Sequence, residues 1–100
     1  MPNITPLDAC RKRCFDEYKA AAAATLVKFK DTAQECKSAY DAAVTRCASD
    51  PDPVACRAIA SDNYTDCIRT AAQILSQEIE NARLTLENCL TMCNLQYPRP

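Results

Sequence analysis

Glycine, histidine and tryptophan are absent from this 100-residue chain, and two Phe and four Tyr are its only aromatic side chains. Without glycine there is no Gly-rich loop to cradle phosphate and no residue that enters left-handed backbone cheaply. Without histidine the chain lacks the usual general base, the usual partner of a nucleophile and the commonest zinc ligand. The chain therefore reads as non-enzymatic, with no catalytic residue, no metal and no cofactor expected. No run approaches the roughly 20 apolar residues of a membrane span. Met1-Pro2-Asn3-Ile4-Thr5 also lacks the apolar segment of a secretory signal, so a mature form is expected.

Excess charge is lacking too. Twelve basic residues face 13 acidic ones, a formal charge of −1, which leaves no footprint for nucleic-acid phosphates. Arg11-Lys12-Arg13 is the one basic cluster, and three adjacent helical residues fan around so much of the circumference that a solvated first turn is expected. The carboxylate pairs Asp16-Glu17 and Glu78-Glu80 read in the same way, as solvated helix faces.

What is present is organised by proline and cysteine. Proline stands only at positions 2, 6, 51, 53, 98 and 100, which leaves two long stretches without a helix breaker. Thr5, Pro6 and Asp8 make an N-cap, a first helical position and an acidic first turn. Helix one is predicted over about 6–48, running through the strong helix formers Ala20 to Ala24. Ser49-Asp50-Pro51-Asp52-Pro53 supplies turn chemistry, and Asp52 with Pro53 starts helix two, predicted over about 54–97 before Pro98 stops it. A single helical-hairpin domain over 1–100 follows.

Eight cysteines in so short a chain are the composition of a disulfide scaffold and point to an oxidising compartment: secreted, periplasmic or intermembrane space. The gaps between Cys10, Cys14, Cys36, Cys47, Cys56, Cys67, Cys89 and Cys93 read 4, 22, 11, 9, 11, 22 and 4, a palindrome. Pairing from the outside inward gives Cys10 with Cys93, Cys14 with Cys89, Cys36 with Cys67 and Cys47 with Cys56. In every pair the residue numbers add to 103, so one antiparallel register serves all four. Gaps of 4, 11 and 22 approximate whole helical turns and put the cysteines of each helix on one stripe. Crossing the outer pairs, Cys10 with Cys89 and Cys14 with Cys93, needs two registers at one end. A helix bearing C-x3-C could instead hold Cu(I) on paired thiolates, but storage has no need of mirror-matched spacing.

The stretch Cys36-x10-Cys47-x8-Cys56-x10-Cys67 resembles the coiled-coil-helix-coiled-coil-helix proteins, with their twin C-x9-C or C-x10-C helices joined by nested disulfides. Cys10-x3-Cys14 and Cys89-x3-Cys93 resemble the twin C-x3-C of plant α-hairpinin peptides and of small mitochondrial intermembrane-space chaperones. The resemblance is confined to the cysteine framework and implies the fold and disulfide topology, not the families' activities. Seventy-four residues separate the two C-x3-C motifs here, far more than in those families.

Large apolar residues repeat every 11 residues, the cysteine period: Leu7, Tyr18, Phe29 and Tyr40 on helix one, and Tyr64, Leu75, Leu86 and Tyr97 on helix two. Eleven residues in three turns predicts helices that run straight or coil slightly right-handed. At about 98° per residue, the first row lies some 33° from the Cys14, Cys36, Cys47 stripe, with Phe15 and Leu26 near 98°. On helix two the second row lies about 65° from Cys56, Cys67 and Cys89, with Ile68, Ile79 and Leu90 near 98° in the same sense. One apolar face and one polar face are expected. The simplest cover for the apolar face is a second copy, giving a four-helix bundle. Three roles fit: a structural or protein-interaction module, a chaperone-like or lipid-binding hairpin, and a secreted defence or inhibitor peptide.

Overall fold

The computed structural model describes residues 4–98 and holds two helices, α1 (Pro6–Cys47) and α2 (Pro53–Gln96), with no strand among the described residues. Both starts are capped as the sequence predicts. The Asp8 amide donates to Thr5 Oγ1 at 3.1 Å, and the Ala55 amide donates to Asp52 Oδ1 at 3.2 Å. These side chains satisfy amides that have no partner inside the helix. The end of α1 tightens through bonds from the Ala48, Ser49 and Asp50 amides to carbonyls three residues earlier. Asp50 Oδ1 then accepts from the Asp52 amide at 2.8 Å, so the turn is made without glycine. Each helix ends one residue earlier than the sequence predicts, and α2 also starts one residue earlier, on Pro53 itself.

The chain forms two compact units, and the division falls in the longest cysteine-free stretch of each helix. Unit 1 comprises Met1–Thr25 and Ser76–Pro100; unit 2 comprises Leu26–Leu75. Within each unit the α1 and α2 segments are antiparallel and covalently paired. Unit 1 holds Cys10–Cys93 and Cys14–Cys89, and unit 2 holds Cys36–Cys67 and Cys47–Cys56. Their Cα separations of 5.5 to 5.8 Å are those of an ordinary disulfide. No free cysteine remains, so the oxidising environment read from the composition holds.

The buried rows are narrower than the sequence reading expects. On α1 they are Cys14, Thr25, Cys36 and Cys47, 11 residues apart, with Leu7 also buried in the first turn. On α2 the buried residues are Ala60, Ala71 and Cys93, with half-buried Ala82 completing an 11-residue row. The α2 seam is therefore not the Cys56, Cys67, Cys89 stripe: Cys56 and Cys89 are half-buried and Cys67 is exposed. It lies four residues on, about 33° around the helix. The cause is size, since alanine lets two backbones approach while a disulfide reaches across from the flank.

Candidate functional site

The outer end of unit 1 gathers the densest chemistry. Buried Leu7, Cys14 and Cys93 form a cluster against which Cys10, Leu86, Cys89, Leu90 and Tyr97 pack. The Sγ atoms of Cys10, Cys14 and Cys93 all lie within 4.8 Å of one another. Every one of these sulfurs is in a disulfide, so none offers the thiolate that a soft metal needs.

A fifth rung joins the four disulfides. Thr25 and Glu78 also add to 103, and Thr25 Oγ1 donates to Glu78 Oε2 at 2.9 Å. Thr25 is buried and Glu78 half-buried, so this is an interior charge-assisted hydrogen bond. The reading of Glu78 as part of a solvated carboxylate face is thereby corrected. The signal was in the sequence: stepping 11 residues from Cys14 and from Cys67 reaches these two positions.

Apart from half-buried Arg11, the other charged residues described lie on exposed faces. Lys12 pairs with Asp16 at 2.7 Å and Arg13 with Glu17 at 3.9 Å, so two members of the basic cluster are ion-paired along their own helix. A hydrogen bond from Lys12 holds the Asp16 carboxyl below its ordinary range, helped by the charges of Lys12 and Lys19. Arg83 does the same to Glu80, first by hydrogen bonding and then by charge, and it also pairs with Glu87. The Arg83 guanidinium is correspondingly harder to deprotonate.

The apolar rows proposed as an interface turn partly toward each other. In unit 1, Leu7 is buried with Leu86, Leu90 and Tyr97 around it, and Tyr18 lines a groove with Leu86 and Cys89. In unit 2 the Tyr40 and Tyr64 rings are 5.4 Å apart, tilted by 49°. Phe29, Ile68, Leu75 and Ile79 are half-buried. Phe15 and Leu26 stay outside, 41% and 47% exposed. The opposite flank of α2 is not the polar surface expected, because Ile59, Ile74, Leu84, Met92 and Leu95 are also exposed. Only Leu84 and Leu95 stand 11 residues apart; Ile59, Ile74 and Met92 have no large apolar side chain at that spacing, so the repeat does not reveal this flank.

Compared with known proteins, the chain matches no family model, no curated protein and no solved structure. The resemblances above accordingly stay with the cysteine framework. No helix among the described residues is long and apolar enough to cross a membrane.

Proposed function

We propose that this chain is a non-enzymatic, disulfide-stapled structural or protein-interaction module that acts through apolar side chains beside its cysteine seam, in a secreted or comparable oxidising setting. The observation that carries this reading is the exposure of Phe15 and Leu26, one row from the seam, in a chain whose buried residues are mostly cysteine and alanine. Such a chain has little core of its own, so its large apolar side chains are available to a partner. The simplest partner is a second copy, closing a two-fold four-helix bundle.

Light scattering at micromolar concentration tests it. A dimer is the expected result, split to monomers by L26K/I68K with all disulfides retained; a strict monomer contradicts the homodimer. Exposed Ile59, Ile74, Met92 and Leu95 favour a second reading, a chaperone-like or lipid-binding hairpin. That role requires the free protein to bind an apolar dye and to lose the dye when it takes up lipid or unfolded chain.

A further inference from the structure

The outer sulfurs carry a chemistry beyond stapling. Cys14 and Cys93 are each 1% exposed, and their Sγ atoms stand 3.5 Å apart although each is bonded to a different partner. Neither sulfur bears a proton, so this is a contact between two disulfides. It arises because Cys93 occupies the buried α2 row that elsewhere holds Ala60, Ala71 and Ala82, and so meets the buried α1 row head-on. The sulfurs bonded to them, those of Cys10 and Cys89, belong to half-buried residues. Cys10 lines an open groove with Arg13 and Tyr97; half-buried Cys89 lines another with Tyr18 and Thr85, a groove whose wall also includes the 1% exposed Cys14. A guanidinium nitrogen of Arg13 lies 4.0 Å from Cys10 Sγ.

We propose that Cys10, Cys14, Cys89 and Cys93 form a thiol–disulfide exchange site for small thiol or dithiol reductants, whose two-electron-reduced state keeps a buried Cys14–Cys93 disulfide and exposes Cys10 and Cys89 as thiols. The reductant's thiolate attacks the Sγ of Cys89, the less buried partner of that disulfide. That forms a mixed disulfide, breaks the Cys14–Cys89 bond and leaves the electron pair on Cys14. The Cys14 thiolate so released stays beside the Cys93 sulfur. It attacks Cys93 Sγ at the 3.5 Å contact, the Cys14–Cys93 bond forms, the Cys10–Cys93 bond breaks, and the pair departs on Cys10. Arg13 stabilises that departing thiolate, and a thiolate of lower pKa leaves faster. A second reductant thiol attacks the reductant sulfur of the mixed disulfide and releases Cys89. The reductant is oxidised to its disulfide, and the protein gains two electrons and two protons. Neither Cys36 nor Cys47 has this route, since the α2 row holds Ala71 and Ala60 at the corresponding positions.

The test is partial reduction of the oxidised full chain with limiting dithiothreitol at neutral pH, followed by an acid quench and alkylation with N-ethylmaleimide. Trypsin at Arg11 to Arg13 and cyanogen bromide at Met92 then separate all four cysteines. The proposal expects the first reduced species to carry maleimide on Cys10 and Cys89 with a Cys14–Cys93 linked peptide. Maleimide on Cys14 with Cys89, on Cys10 with Cys93, or first on a unit 2 pair overturns it. The C10S/C89S chain gives an independent check: no free thiol and a Cys14–Cys93 bond are expected, and two free thiols overturn it.

Discussion

The two units hold the same pair of helices by different means. In unit 1 the disulfides stand four residues apart, so their sulfurs crowd together and Leu7, Leu86, Leu90 and Tyr97 pack around them. In unit 2 they stand 11 residues apart on each helix, beside a tight turn, and a tyrosine pair fills part of the space between. Crowded staples are redundant in alignment, because either one alone holds both helices in register there. Spaced staples each govern their own stretch. The chain-entropy model assigns about 2.7 kcal/mol to the turn-spanning Cys47–Cys56 bridge, and each outer bridge closes a loop already shortened by the inner ones.

The largest expected effect breaks unit 1 alone. Replacing all four outer cysteines by serine should cost on the order of 6 kcal/mol and abolish amide-exchange protection over 6–25 and 76–96. Protection between Cys36 and Cys67 should survive, and loss of both regions together would show that the units are not separately stapled. Replacing only Cys10 and Cys93 should cost about 3 kcal/mol and leave unit 1 protected.

The polar rung sharpens the comparison. T25C/E78C should form a fifth disulfide on air oxidation, seen as a loss of two hydrogens in the intact mass and a higher Tm, with a gain of up to about 3 kcal/mol. Persistent free thiols in that variant would show that the register fails there. T25V keeps the shape but removes the donor to Glu78, and thermal unfolding should report a loss of about 1 kcal/mol.

Acid should act least. Asp16 and Glu80, both in unit 1, have carboxyls held below their ordinary range by Lys12 and Arg83. A depressed pKa in the folded state adds stability that is complete above the unfolded value, near 4, and fades as pH falls through the folded one. Both groups are fully exposed, so the change is small. Helical circular dichroism should soften slightly below about pH 4, and D16N/E80Q should flatten that acid limb.

All four disulfides were legible in the sequence because one register satisfies a palindrome of gaps, and the helix starts were legible because Thr5 and Asp52 precede prolines. Thr25–Glu78 was hidden only because a hydroxyl and a carboxylate do not announce a pair as two cysteines do. The alanine row is hidden for a different reason. The cysteine spacing places cysteines at the centre of both seams, whereas on α2 the smallest side chains occupy it. The half-buried state of Tyr18, Tyr40, Tyr64 and Tyr97 also lay beyond a rotation angle, which locates a flank but not how far the facing row covers it.

The central claim is that mirror-spaced cysteines impose one antiparallel register along both helices. Mass spectrometry of a digest made without reductant, at acid pH to suppress exchange, tests it most directly. The account predicts four linked peptide pairs, Cys10 with Cys93, Cys14 with Cys89, Cys36 with Cys67 and Cys47 with Cys56. Recovery of a Cys10–Cys14 or Cys36–Cys47 bridge from the fully oxidised protein would contradict it.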